Sequence, residues 1–428
     1  MNYNTQNAKI ASITERTLIV GIDVGSETHY ARAFDWRNYE YSKKPLEFRN
    51  TEAGFLTLKA WMEDIAERHG KTDVIPGMEP TGHYWFALGK FLQDSGMKPV
   101  HVNPHHVKKS KELDDNNPNK NDRKDPKTIA ALVNEGRFSY PYIPTGIYAE
   151  IRSLSNLRFQ TQEELTRIKN RIARWFSIYF PEYKDVYGDL KAVSGRMVLK
   201  AAPLPEDIVK LGAEGVNRIW RDAKLRGAGM KRAKTLVSAA EHSVGSKEAP
   251  GAARIELKNL LNDMDIYAAR LEELLRSIEE KLKEIPYIDK LMAIKGIGLV
   301  TVSGFIAEVG DIGRFDNPKQ LQKLAGYAIV ANDSGKHNGE SRISYRGRKR
   351  LRYVLYEAAI SLIGKNAEFR EIHEYYRSRK ENPLKKMQSV VAVACKVIRV
   401  FYAILTKGVD YDAEKLMRDI RRPQIQAA

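Results

Sequence analysis

The run Thr17–Val24, TLIVGIDV, carries an aspartate, Asp23, between two branched apolar neighbours, Ile22 and Val24, and stops at Gly25. Eight residues so rich in β-branched side chains favour a strand. A carboxylate inside such a strand is costly unless it is solvated, paired or held by a cation. Two further extended segments, Thr28–Trp36 and Leu46–Phe48, make the opening a three-stranded meander. Asn50 or Thr51 then caps a helix to about Arg68, with Phe55, Leu58, Met62 and Ile65 on its apolar stripe and Gly70 as the stop. A strand over Asp73–Glu79, a helix over Tyr84–Leu92, a strand over Lys98–Asn103 and a helix over Pro126–Glu135 complete the order βββαβαβα.

That order predicts a mixed sheet with helices packed against it, and ribonuclease-H-like nuclease domains share it. The acidic residues sharpen the expectation. Asp23 lies near the end of the first strand, Glu79 closes the fourth in GMEPTGHYW, and Asp122 and Asp125 stand in NDRKDPKTIA at the entry to the last helix. Two Mg²⁺ ions about 4 Å apart need several oxygen ligands converging on one sheet edge, and four carboxylates at strand and helix ends supply them. Each acid also has a plainer explanation. Asp125 before Pro126 is a good N-cap, and Asp122 and Glu79, taken singly, read as solvated surface carboxylates.

Ile151–Tyr179 carries Ile151, Leu154, Leu157, Leu165, Ile168, Ile172, Trp175 and Phe176 at helical spacing, interleaved with Arg152, Arg158, Arg167, Lys169, Arg171 and Arg174. This is a long basic amphipathic helix, suited to a phosphate backbone or simply to water. Ser246–Gly251 resembles a linker. Beyond it Leu257, Met264, Leu271, Ile278 and Ile285 recur every seven residues, with Leu260, Tyr267 and Leu274 three positions on, and Pro286 closes the run. Such a heptad pairs with another subunit or folds back on the Ile151 helix.

In AIKGIGLVTVSGFIAEVG, Gly296 and Gly298 form the turn of a helix-hairpin-helix-like segment whose backbone N–H groups face a phosphate. Next, Lys336, Arg342, Arg346, Arg348, Lys349, Arg350 and Arg352 crowd a glycine-punctuated loop with one acid, Glu340, among them. Such a loop suits a nucleic acid backbone. Ser334 and Ser344 lie in or beside it. A serine there is ordinarily a turn former, and its alcohol is a poor nucleophile without a base or metal.

The 428 residues include 71 Lys and Arg against 54 Asp and Glu, a formal charge of +17 at an ordinary hydrophobic content of 43%. A packed chain with that excess faces a polyanion, with nucleic acid the first candidate. The lone Cys395 excludes an internal disulfide and a cysteine-based zinc site, which fits a reducing, cytoplasmic setting. The apolar stretch Val390–Leu405 is cut by Lys396 and Arg399 and reads as a buried helix too short to cross a bilayer, so no membrane partner is expected. The expected fold is α/β plus all-α. Residues 1–145 form an RNase H-like mixed-sheet catalytic domain, 146–286 a helical and coiled-coil region, and 287–428 an α-helical domain with the helix-hairpin-helix-like segment and the serine loop.

Taken together the motifs resemble one family, the serine-dependent, DEDD-type insertion-sequence transposases guided by a bridge RNA. The resemblance runs along nearly the whole chain. It rests on GIDVG, Glu-Pro-Thr-Gly-His-Tyr-Trp, the D-x-x-D pair before Ile-Ala, the basic helix, the heptads, I-x-G-I-G, and the order Ser-Gly, Arg-Ile-Ser, Arg-Gly. It implies that Asp23, Glu79, Asp122 and Asp125 are catalytic metal ligands for Mg²⁺, with two ions, and that Ser334, or else Ser344, is the nucleophile. It implies donor and target DNA and a structured guide RNA as partners, while the heptads point to a homo-oligomer, dimer or tetramer, through the 257–285 coiled coil. Pro126 departs from the family, which more often has Ala there, and is harmless in a first helical turn. Three other readings remain at this point. They are a Holliday-junction resolvase-like nuclease using water, an actin- or sugar-kinase-like ATPase with Asp311-Ile312-Gly313 as its second phosphate loop, and a nucleic-acid-binding scaffold with inactive acids.

Overall fold

The computed structural model describes residues 3–80, 82–114, 125–188, 190, 192–330, 333–334, 337–338, 342–418 and 420. The chain divides into two compact units, Met1–Ile143 and Pro144–Ala428.

In the first unit, α1 (Tyr3–Ala11) precedes β1 (Thr17–Val24), β2 (Thr28–Phe34), β3 (Leu46–Arg49), α2 (Glu52–Arg68), β4 (Asp73–Met78), α3 (Trp85–Asp94), β5 (Val100–Val102), α4 (Pro104–Asp114), α5 (Asp125–Asn134) and β6 (Phe138–Ser139). The sheet order is β3-β2-β1-β4-β5-β6. β2 runs antiparallel to β1 and β3, β4 runs parallel to β1 and β5, and β6 is antiparallel to β5. This is the expected RNase H-like mixed sheet. Thr51 caps α2 by accepting from the Gly54 amide. Alternation along β1 divides the core. Leu18, Val20, Ile22 and Val24 pack with Phe55, Leu58 and Met62 of α2 and Leu88 of α3. Ile19 packs on the other face with Ile129, Ala130 and Val133 of α5 and Val107 of α4.

Three elements of this unit have weak sequence signals. The polar N-terminus forms α1, whose Lys9 ammonium reaches the Phe138 carbonyl. Helix α4 is basic and nearly devoid of apolar residues, and β6 has two residues.

The second unit is largely helical. It begins with α6 (Gly146–Tyr179), α7 (Tyr183–Tyr187), α8 (Val193–Ala201), α9 (Pro205–Asp222), α10 (Met230–Glu241) and α11 (Pro250–Leu282). Helix α11 folds back antiparallel on α6, with Ile278 near Ile151 at one end and Trp175 Nε1 donating to the Ala253 carbonyl (3.0 Å) at the other. The heptad therefore pairs within the chain. Helix α11 ends at Leu282, short of Ile285, which is nonetheless buried. Pro286 disfavours the helical conformation for the residue before it. Of the segment read as a linker, Ser246–Gly251, Pro250 and Gly251 already belong to α11, and the Ser246 amide donates to the Ile178 carbonyl (2.7 Å). Just before it the Val244 amide donates to Glu182 Oε1 (2.9 Å), so the chain straps along the end of α6.

The chain continues through α12 (Ile288–Met292), α13 (Leu299–Val309), α14 (Pro318–Ala325), β7 (Ile329–Val330), β8 (Asp333–Ser334), β9 (His337–Asn338), β10 (Arg342–Ile343), α15 (Lys349–Lys365), α16 (Ala367–Ser378), α17 (Lys386–Lys407) and α18 (Ala413–Met417). Helix α17 is longer than its sequence suggests, and its 22 residues meet the length and hydropathy of a membrane span. It is nevertheless a core helix, with Val393, Ala394, Val397, Ile398 and Phe401 buried among α13, α15 and α16. Two cores result. One holds α12–α18 with the start of α6 and the end of α11. The other holds α7–α10 with the rest of α6 and α11.

One half-buried group of the first unit makes its stability depend on pH. His101, on β5, meets Trp85 edge-on at 4.2 Å, and burial pushes its pKa down to about 4. The unfolded chain takes up that proton near pH 6.5, so stability is full above that value and declines as the pH falls from 6.5 towards 4. Between pH 7 and 5 the loss through His101 is about 2 kcal/mol. Urea unfolding at the two pH values checks this: His101→Phe narrows the gap by about that amount, and an unchanged gap contradicts it.

Candidate active site and nucleic-acid interface

The parallel register of β1 and β4 sets Gly21 opposite Gly77 and Ile22 opposite Met78. Glu79 follows Met78 directly, so the next step of the ladder brings Glu79 beside Asp23. Near their C-terminal ends the two strands thus carry the same triplet, Gly-x-acid, with Glu79 one residue past β4; continued alternation puts glycine and acid on one face. That face is the one α5 covers. A Cβ on Gly21 would lie 1.8 Å from the Pro126 carbonyl oxygen and 3.0 Å from the Ala130 nitrogen. A Cβ on Gly77 would lie 2.6 Å from Val133 Cγ2. The first turn of α5 therefore rests on bare backbone, and Asp125, its first residue, is delivered to the face that carries Asp23 and Glu79.

Asp125 is part-buried and ion-paired with the Lys111 ammonium of α4. Asp23 is half-buried, and both it and Glu79 have interaction partners. Asp122 lies outside the described residues. Among the described residues no three carboxylate, imidazole or thiol groups form a ready-made metal cage. Two adjacent carboxylates are nevertheless compatible with Mg²⁺, which keeps several waters and takes one or two protein carboxylates together with substrate phosphate. Behind Asp23, the Gly25 amide donates to Nδ1 of His29 (3.2 Å), tying down the turn that follows the acid. Asp35, at the end of β2, shows what a purely structural acid looks like. It is buried, and its Oδ1 accepts from the Arg37 and Tyr39 amides, both at 2.8 Å.

The described residues of the serine loop form two short two-stranded ladders. β7 pairs with β10, and β8 with β9 through Asp333↔Asn338 and Ser334↔His337. Ser334 thus stands at the distal rung of a hairpin ladder. Ser344 lies at its base, where its hydroxyl donates to the Gly326 carbonyl and accepts from the Arg346 amide, both at 3.3 Å. It closes a turn.

The basic residues divide in the same way. Arg342, Arg346 and Lys349 are exposed. Arg348 pairs with Glu308 of α13 at 3.6 Å and donates to its carbonyl, so it anchors the loop. Arg350 donates to Asn156 of α6. Lys336 lies outside the described residues. Gly296 has φ +106° and its carbonyl accepts from Ser361 Oγ (2.7 Å), whereas Gly298 opens α13 in extended conformation. The hairpin's first helix, α12, is five residues long. Sequence reasoning missed Lys111, His29 and the pairing of the two Gly-x-acid triplets, which was visible as GID and GME.

Packing at the glycines is testable. Gly21→Ala drives a methyl into helix backbone and costs about 3 kcal/mol, whereas Gly77→Ala meets a side-chain methyl that can turn aside and costs about 1 kcal/mol. Urea denaturation of the two variants reads the order, and equal or reversed losses contradict the seat.

Comparison with known proteins matches this architecture at both ends. The DEDD transposase model of the IS110 group matches residues 20–181, and the model for the IS116/IS110/IS902 transposase family matches residues 288–377. The 44.8 kDa protein of insertion element IS116 from Streptomyces clavuligerus is 25% identical over 393 residues, covering 90% of this chain and 94% of that protein. The 42 kDa protein of insertion element IS900 from Mycobacterium paratuberculosis is 24% identical over 289 residues, 66% of this chain and 71% of that one. The transposase of insertion sequence element IS1111A from Coxiella burnetii is 25% identical over 159 residues, 36% and 44% of the two chains. A DEDD domain implies use of a divalent metal, a transposase binds DNA, and the ATPase reading falls away. With the two models together covering more than half of its length, in order, the chain belongs to the IS110/IS116/IS900 family of transposases, enzymes of DNA transposition.

Proposed function

We propose that this transposase is an RNA-guided DNA recombinase that cuts and rejoins strands through a phosphoserine intermediate. The observation that carries the reading is the placement of Asp23 and Glu79 on adjacent parallel strands, on the face where the entry of α5 brings Asp125. Asp23, Glu79, Asp122 and Asp125 are the ligands, for two Mg²⁺ ions. When bound, the metal polarises the scissile phosphate and offsets its developing charge.

Ser334 is the nucleophile. Its Oγ loses its proton and bonds to phosphorus, the bond to the 3′-oxygen breaks, and that oxygen leaves as a hydroxyl. A 3′-hydroxyl of the partner strand then attacks the phosphoserine, a DNA phosphodiester re-forms, and the serine hydroxyl is restored. One phosphoester replaces another throughout, so no ATP is needed. Ser344, with its hydroxyl engaged on both sides in a turn, is the less suited of the two serines.

The division of labour follows the chain. Residues 1–145 hold the metal, 146–286 bridge and assemble, and 287–428 carry the serine and grip nucleic acid through Gly296, Gly298, Lys336, Arg342, Arg346, Lys349 and Arg350, with Arg348 as their anchor. Sequence reading is left to a guide RNA that pairs with donor and target DNA, which accords with abundant phosphate-binding charge in a protein with no evident major-groove reader. A homo-oligomer forms through the 257–285 region. Supporting this, Leu271, Leu274 and Leu275 of α11 are only half-buried, and Leu157 of α6 and Ile266 of α11 are exposed. The protein works in the cytoplasm.

Denaturing gels of purified protein reacted with cognate DNA, guide RNA and Mg²⁺ test the chemistry. The wild type yields a protein–DNA adduct, Ser334→Ala yields none, and Asp23→Asn lowers cleavage by about 100-fold or more. Cleavage without any adduct means that water is the nucleophile and the resolvase-like reading is correct.

A further inference from the structure

Where α6 passes α15, two arginines come together without an acid. Arg158 of α6 is partly buried, which lowers its pKa; the Tyr353 phenol opposes that shift and the like charge of Arg350 adds to it. Among the described residues no carboxylate ion-pairs with either. Arg350 lies over the ring of Phe159, guanidinium carbon to centroid 4.4 Å, and donates to Asn156. Phe159 in turn meets Tyr353 edge-on, with centroids 6.5 Å apart. Tyr353 is 53% exposed. Arg350 is thus held by packing and not by counter-charge beside an accessible aromatic ring, and Arg158 lies near enough to feel the charge of both Arg350 and Tyr353.

Close like charges are unfavourable unless an anion joins them. Arginine's planar fork is suited to phosphate, and among the described residues only the bond to Asn156 uses one of the ten N–H donors of this pair. An exposed tyrosine beside a phosphate site adds a stacking platform, which an unpaired nucleotide can use and a nucleotide inside a duplex cannot, its base faces being already covered. DNA transposition opens strands, and so generates unpaired nucleotides.

We propose that Arg158, Arg350 and Tyr353, supported by Phe159 and Asn156, form a binding site for one nucleotide of single-stranded DNA. The two guanidiniums hold its phosphate and the Tyr353 ring stacks on its base. This rests on the reading of the 342–352 region as a nucleic-acid surface and extends it onto α6.

The test uses the full-length protein and three fluorescein-labelled ligands of one sequence: a 12-nucleotide DNA strand, its duplex, and the RNA strand. Binding is followed by anisotropy over a range of salt. Tyr353→Ser weakens the DNA strand about tenfold and the duplex less than about twofold, and Tyr353→Phe restores wild-type binding. Arg158→Gln flattens the slope of log affinity against log salt on the single strand by about 0.7. Equal losses on strand and duplex overturn the proposal, as does unaltered single-strand binding. A loss confined to RNA overturns it in favour of the guide. If the wild type binds none of the three ligands, the nucleic-acid surface itself fails; if it binds and every variant matches it, only this site does.

Discussion

The carbonyl of Pro126 rests on the backbone of Gly21, and the candidate chemistry of the first unit depends on that contact. Any side chain at Gly21 would lift the start of α5 off β1. Asp125 would move with it, away from the strand ends where Asp23 and Glu79 stand. The opposed Gly77 extends the same bare strip across β4. One residue of each strand thus gives up side-chain packing, so that a helix can lie close enough to present its first residue beside acids two positions further on. The register turns two separate tripeptides into one feature.

The strand order, the acids and the mixed sheet were legible because each carries a local signal: β-branched runs, a carboxylate where an apolar residue is expected, Asp-Pro at a helix start. What escaped notice depends on distant partners. Helix α4 has almost no apolar pattern, and only its neighbour α5 shows why Lys111 faces Asp125. β6 is two residues long and exists because β5 offers an edge. Ser246–Gly251 looks like a linker, yet its first residue is tied to the end of α6 by a backbone hydrogen bond, beside Ser243 and Val244 held by Glu182, and its last two residues open α11. Ile285 keeps the heptad spacing after the helix has ended, because burial continues where hydrogen bonding stops.

Charge is also better understood after folding. The sequence shows a dense basic segment and gives every cation in it the same apparent meaning. Folded, Arg348 ties the loop to Glu308 and Arg352 donates to the Ala325 and Tyr345 carbonyls. Arg342, Arg346 and Lys349 face water. A net charge of +17 is therefore not one adhesive surface. Part of it is scaffolding that holds the remainder in position.

Helices α6 and α11 belong to both cores of the second unit. At 34 residues, α6 is about 50 Å long. Two antiparallel rods clamped at each end resist bending far better than they resist torsion. Repacking at one end is therefore passed to the other chiefly as rotation about a common axis. Arg158 and Phe159 lie near the middle of that shaft, so a strand gripped there would register the angle between its two ends.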